Sequence, residues 1–225
     1  MKLKIKGTII ADDYKWIYDL FGFDSTCPRD VSRALSDAAG QHVDVYINSG
    51  GGQIFAGTEI KDMLQEYGNL KIHVVGFAGS AASVIMCAGK CDISETSMVM
   101  IHNVSSAAEG DYHAMDKESE VLQKANKAMC AAYVSKTGKP EAEMLALMDR
   151  ETWFTAAEAV EMGLADEITQ KDMVLVAACG TNIIPEETIK KLTAILKNPQ
   201  AETQADFLLQ AKAKHQYLNL GGLTQ

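Results

Sequence analysis

The stretch from Lys71 to Gly89, Lys-Ile-His-Val-Val-Gly-Phe-Ala-Gly-Ser-Ala-Ala-Ser-Val-Ile-Met-Cys-Ala-Gly, constrains the fold more than any other part of the chain. It opens as a β-rich run (Ile72, Val74, Val75) and passes through Gly76, Gly79 and the small residues Ser80 to Ala82. It then becomes a helix-length apolar run that ends near Gly89. A strand that turns sharply into a helix can hold a side chain at the helix N-terminus. There the unpaired N–H groups and the positive end of the helix dipole face a developing negative charge. Ser83 is the serine this reading places at that point. The same residues also suit a tight turn into a buried helix, with the serine acting only as a cap.

The pattern recurs along the chain. Residues 2–10 form an opening strand, and Val43 to Ile47 alternate as a second strand that ends in Asn48-Ser49-Gly50-Gly51-Gly52. Ala56, Ile60, Met63, Leu64 and Tyr67 then make a helical stripe. A glycine turn of this kind can cradle phosphate, but the Gly-x-Gly-x-x-Gly and Gly-Lys-Ser/Thr spacings are missing. Ser97 to His102 is a further strand. Strands separated by helices predict a parallel sheet with crossover helices, whose C-terminal strand ends carry the chemistry. The Gly50–Gly52 turn, the Ser83 turn and His102 all fall at such ends.

Elsewhere the patterns are more local. Residues 12–28 read as a loop or short helix, and 32–39 as a helix. The stripe Val121, Leu122, Ala125, Ala128, Met129, Ala132 and Tyr133 marks a long amphipathic helix over 111–136, and 141–148 is a shorter one. Thr155-Ala-Ala-Glu158 is a capping box that opens a helix stopped by Gly163. Ile168 and 173–178 are strand-like, and Pro185 opens a helix carrying Ile189, Leu192 and Ile195. Residues 198–206 form a polar linker before an amphipathic segment over 207–220. The predicted division is a main domain over 1–197 and a C-terminal extension over 198–225.

Composition excludes several classes. The chain has 225 residues, 47% of them hydrophobic and 23% charged, which suits one globular core. A net charge of −9 argues against a nucleic-acid surface. No apolar run approaches a membrane span, and the N-terminus lacks the apolar core of a signal peptide. The five cysteines form no Cys-x-x-Cys pair, which points to free thiols in a reducing, cytoplasmic compartment. Cys87 and Cys91 are expected in the core, and no metal or cofactor is expected.

Serine hydrolysis needs a nucleophile, a base, a group that orients the base, and donors for the oxyanion. Ser83 and His102 supply the first two, and Asp149 and Glu151 are later carboxylates that precede the capping box. His42, His73, His113 and His215 are expected to be packed or surface residues.

Four blocks carry a resemblance. They are Tyr-Ile-Asn-Ser-Gly-Gly-Gly (46–52), Gly-Ser-Ala-Ala-Ser (79–83), Ser-Met-Val-Met-Ile-His (97–102) and Ala-Ala-Glu-Ala-Val-Glu-Met-Gly-Leu-Ala-Asp (156–166). In order and approximate separation they resemble the signature blocks of the Clp peptidase (ClpP) family. The resemblance covers roughly residues 40–170. It implies an α/β, ClpP/crotonase-like fold of repeated ββα units with a protruding handle helix. It also implies a serine endopeptidase triad with Ser83 as nucleophile and His102 as base, and a homo-oligomeric ring, a heptamer or stacked heptamers. The implied oxyanion donors are the backbone N–H groups of Gly51 and Val84. Counting back from the last block matches Glu151 to the family's aspartate, and Asp149 remains the alternative.

Gly50 stands where the family usually has proline. The chain starts almost at its first strand, and Asp-Arg-Glu-Thr-Trp-Phe precedes the capping box. These features look more like the Clp-type head maturation proteases of phages and prophages, which process capsid or scaffold proteins without an ATPase. The extension would then be a cleavable tail or a scaffold tether. The alternatives are a proteolytic subunit working with a Clp ATPase, a crotonase-type acyl-CoA enzyme, a Ser/Lys peptidase, and an inactive assembly protein on the same scaffold.

Overall fold

Alternation sets the sheet. In the computed structural model, which describes residues 1–169, 184–185, 188–190 and 193, β1 and the first half of β3 alternate buried apolar residues with more exposed ones. The elements run in the order β1 (Lys2–Ile9), α1 (Lys15–Phe21), β2 (Ser25–Thr26), α2 (Pro28–Ala38), β3 (Val43–Gly52), α3 (Ile54–Tyr67), β4 (Leu70–Gly79) and α4 (Ala81–Ile85). They continue as β5 (Cys91–Ser94), β6 (Met98–Ile101), α5 (Tyr112–Thr137), α6 (Glu141–Asp149), β7 (Thr152–Thr155), α7 (Ala156–Glu161) and β8 (Glu167–Thr169). The strands form one eight-stranded sheet, ordered β2-β1-β3-β4-β5-β8, with β6 paired to β4 and β7 paired to β6. All pairings are parallel except β6–β7. Strand–helix–strand crossovers require this, because parallel neighbours cannot be joined by a hairpin.

Leu3, Ile5, Val43, Val45, Ile47, Ile72 and Val74 face the helical side, where Val31, Leu35, Ile60, Leu64 and Val84 meet them in a single core. The alternate residues form a polar ladder on the other face. Asp44 aligns with Lys71, Tyr46 with His73, and His73 with Asp92. His73 Nδ1 lies 2.7 Å from Asp92, and Lys71 bridges Asp92 at 3.0 Å and Glu167 at 2.9 Å. His42 and His73 are therefore occupied on this face.

Strand β4 changes partner midway: Ile72 to Val74 pair with β5, and Phe77 to Gly79 pair with β6. Gly76 sits at the switch with a φ of 119°, and its N–H donates to Ser97 Oγ at 2.6 Å. A β-carbon there would stand 2.8 Å from Asn48 Oδ1, so only glycine fits. The switch leaves the end of β4 beside β6, which is the arrangement the site needs.

The sequence predicts the parallel sheet, the long helix α5 and the capping box on α7, and all three are present. The box is complete: Glu158 N–H donates to Thr155 Oγ1 at 3.4 Å and Thr155 N–H to Glu158 at 2.8 Å. Three strands were not anticipated, β2, β5 and β7. Residues 12–28 resolve into a short 3-10 turn, α1 and the short strand β2, which pack Ile17, Tyr18 and Cys27 around Ile189. The expected strand over 173–178, His215 and the extension over 198–225 lie outside the described residues. Among the described residues no helix is long and apolar enough to cross a membrane, and no group of three or more His, Cys, Asp or Glu is arranged to hold a metal.

Candidate active site

The ends of β3, β4 and β6 converge. Strand β4 closes on Gly79, and Ser80 follows it as the N-cap of α4. Strand β6 ends at Ile101, and His102 is the next residue. The Ser80 N–H donates to the Met100 carbonyl at 3.0 Å, which locks the two strand ends together. As a result His102 Nε2 lies 2.8 Å from Ser80 Oγ, and both side chains are half-buried.

Ser80 has φ 52° and ψ −124°, a conformation that side-chain-bearing residues rarely adopt. Such strain costs about 1–3 kcal/mol and persists only where the surroundings over-determine it. This sharp strand-to-helix turn is an elbow that brings the Ser80 hydroxyl against His102, three residues ahead of Ser83.

Ser83 is fully buried, the third residue of α4, and does not meet His102. Its Oγ donates to the Ser80 carbonyl at 2.6 Å and lies 2.7 Å from the Tyr133 hydroxyl. Helix α4 begins at Ala81, two residues before Ser83. The Val84 N–H is held by the Ser80 carbonyl at 3.3 Å.

Gly51 lies where expected, at the end of β3 with φ 95°. A β-carbon on it would stand 2.7 Å from Ser80 Cβ and 2.9 Å from the Ala81 nitrogen, so this backbone lies directly against the elbow. Its N–H donates to Ser49 Oγ at 3.1 Å.

The two candidate carboxylates sit at the rim, both exposed. Asp149 accepts from Asn103 Nδ2 at 2.7 Å, and Glu151 accepts from Trp153 Nε1 at 3.2 Å. Trp153 in turn stacks on Phe77, with ring centroids 5.2 Å apart. Among the described residues no carboxylate lies within ion-pairing distance of His102. Glu151 is the nearer of the two in register. Ile101 and Thr152 are the last pair of the antiparallel β6–β7 ladder, and His102 and Glu151 are the residues just beyond it, Glu151 leaving the strand with φ 50°.

Beside the site a cavity of about 730 Å³ runs from Gly52 and Val104 between α3 and α5. Ile10, Tyr14, Phe55, Val121 and Leu122 make much of its wall.

Comparison with known proteins gives a consistent result. Residues 33–172 match the Clp protease family. An ATP-dependent Clp protease proteolytic subunit of Porphyromonas gingivalis is 32% identical over 137 residues, 59% of this chain and 62% of that protein. One from Bacteroides fragilis is 33% identical over 136 residues, 59% of this chain and 66% of that protein. ATP-dependent Clp protease proteolytic subunit 3 of Rhodococcus jostii is 31% identical over 146 residues, 63% of this chain and 72% of that protein. The chain thus spans slightly less than two thirds of the first two relatives. With a match over more than half of its length and the sheet ends arranged as described, the chain belongs to the Clp protease family.

Proposed function

We propose that the protein is a serine endopeptidase in which Ser83 is the nucleophile and His102 the general base. The family match over residues 33–172, which contains the Gly-Ser-Ala-Ala-Ser block ending at Ser83 and the block ending at His102, carries this reading. His102 Nε2 lies 2.8 Å from Ser80 Oγ and Ser83 Oγ donates to the Ser80 carbonyl at 2.6 Å, so the Ser83 hydroxyl must turn from that carbonyl to His102 before attack. His102 then takes the Ser83 proton as Oγ attacks the scissile carbonyl and returns it to the leaving amine. Water repeats the sequence on the acyl-enzyme. The Gly51 and Val84 N–H groups are the oxyanion donors, and they must first leave Ser49 Oγ and the Ser80 carbonyl.

Glu151 is the orienting acid, supported by lying nearer to His102 in register than Asp149 does. It joins His102 Nδ1 by exchanging its Trp153 partner, and Asp149 stays with Asn103. The cavity beside the site, with its apolar walls, suits extended polypeptide with apolar side chains. The four described cysteines are free thiols, which agrees with a cytoplasmic setting.

The finer reading is an oligomeric ring, a heptamer or stacked heptamers, that processes capsid or scaffold proteins during phage head assembly. Gly50 and the Asp149–Phe154 segment support it through their resemblance to that branch of the family. The names of the relatives favour a second reading, the proteolytic subunit of an ATP-dependent protease.

Hydrolysis of unfolded protein and fluorogenic peptides tests the chemistry. Ser83→Ala and His102→Ala should each lower kcat by about 10⁴-fold or more. Full activity in either variant would sink the assignment. Stimulation by an added Clp ATPase, set against cleavage of co-expressed capsid or scaffold protein without one, separates the two biological readings.

A further inference from the structure

We infer that Ser80 and Tyr133 are positioning residues that together hold the nucleophile and the base apart in the resting site. The inference rests on Ser83 being the nucleophile and His102 its base. What carries it is that one residue, Ser80, engages both of them. Its hydroxyl lies 2.8 Å from His102 Nε2, and its carbonyl accepts from Ser83 Oγ at 2.6 Å. The same carbonyl takes the N–H groups of Ser83 at 2.9 Å and of Val84 at 3.3 Å.

Counting protons fixes the direction of each bond. A carbonyl cannot donate, so the single hydroxyl proton of Ser83 goes to the Ser80 oxygen. The 2.7 Å contact between Ser83 Oγ and the Tyr133 hydroxyl must then use the tyrosine proton. Burial pushes the Tyr133 phenol well above its ordinary value, against the opposing effect of the Ser83 bond, so it remains a donor. A base must present an unprotonated nitrogen, and when His102 Nε2 does so the Ser80 hydroxyl is the donor to it. Nucleophile and base are thus each paired with a group other than the one they react with.

The hold on Ser83 is dry. Ser83 is fully buried and Tyr133 is 1% exposed, so water does not replace either partner when Ser83 turns to His102. That turn leaves the Tyr133 hydroxyl unpaired in the core. An unmade buried hydrogen bond shifts such an equilibrium by about tenfold. The Ser80 hydroxyl and His102 are only half-buried, so their bond weighs less. The Ser80 N–H is fixed to the Met100 carbonyl at 3.0 Å, which keeps Ser80 at the end of β6 beside the base. Tyr133 reaches the nucleophile from the buried face of α5, beside Met129 and Cys130.

A restraint and a support predict opposite signs. Tyr133→Phe removes only the bond to Ser83, and Ser80→Ala removes only the hydroxyl on His102 while leaving the Ser80 carbonyl in place. The rate of fluorophosphonate labelling, with the adduct located by fragmentation, is measured for wild type, both variants and the double variant. kcat and KM on a fluorogenic peptide, and Tm, are measured on the same proteins. Tyr133→Phe should label Ser83 about three- to tenfold faster and raise kcat in proportion, with KM unchanged and Tm equal or lower. Ser80→Ala should label about twofold faster or more, and the double variant faster than either. A slower or unchanged rate in Tyr133→Phe would overturn the inference, because the tyrosine would then support the nucleophile or only pack against it. If Tyr133→Phe does not fold, Ser80→Ala decides. Slower labelling there would make the Ser80 hydroxyl a relay between Ser83 and His102, and an unchanged rate would make it idle; either overturns the inference. Wild-type labelling at Ser83 with no gain in any variant overturns the inference alone. No adduct on Ser83 in any of these proteins removes the nucleophile assignment and the inference with it.

Discussion

At Ser80 the backbone pays for the position of a hydroxyl. With φ 52° and ψ −124°, a residue without a β-carbon would relax where serine and alanine cannot. Ser80→Gly should therefore be more stable than Ser80→Ala by about 1 kcal/mol or more, since both lose the His102 contact and only one keeps the strain. Denaturant unfolding of the two variants measures the difference, and equal stabilities would mean the turn is unstrained. The carboxylates give a second prediction at this scale. Glu151→Gln should lower kcat by about a hundredfold or more, while Asp149→Asn should change it by less than about fivefold. The reverse order would transfer the orienting role to Asp149. These residues also show the limits of reading the sequence. The strand ends that carry the glycines and His102 were legible because spacing within a strand or block is rigid. The contact of His102 with Ser80 was not, because two serines flank one short turn and only the backbone makes Ser80 the N-cap and buries Ser83 inside α4.

Among the elements, α5 is tied down at its C-terminal end by Lys136, whose ammonium donates to Asp166 at 2.6 Å and to the Gly89 carbonyl at 2.9 Å. Partial burial works against an ionised Asp166. The Lys136 hydrogen bond and the Cys91 N–H outweigh it, so the carboxyl lies below its ordinary value. A depressed folded value contributes stability that is fully present above the ordinary aspartate range and is lost as pH falls through the folded value. Lys136→Met should lower Tm at neutral pH and flatten the acid side of the stability profile. An unchanged acid limb would show that the pair contributes nothing. The long helices and the central strands were legible from periodicity. Strands β5 and β7 were not, since four residues each carry too little pattern, and β7 exists only through its pairing with β6.

For the whole molecule, α5 extends with Tyr112 at 69% exposure, Met115 at 40% and Val121 at 46%. Large apolar side chains on one projecting helix fit the proposed ring contact. Met115→Lys with Val121→Lys should shift the mass seen by light scattering toward smaller assemblies and reduce activity in parallel. An assembly of unchanged mass would remove α5 from the interface. The polar sheet face behaves differently, because its Asp44, Lys71, His73 and Asp92 partners already satisfy one another.

The most direct measurement is localisation of a fluorophosphonate adduct by intact mass and peptide fragmentation in wild type, Ser80→Ala and Ser83→Ala. A single adduct on Ser83, present in Ser80→Ala and absent from Ser83→Ala, is the predicted result. An adduct on Ser80, or a folded wild-type protein that takes up none, would contradict the assignment of the nucleophile.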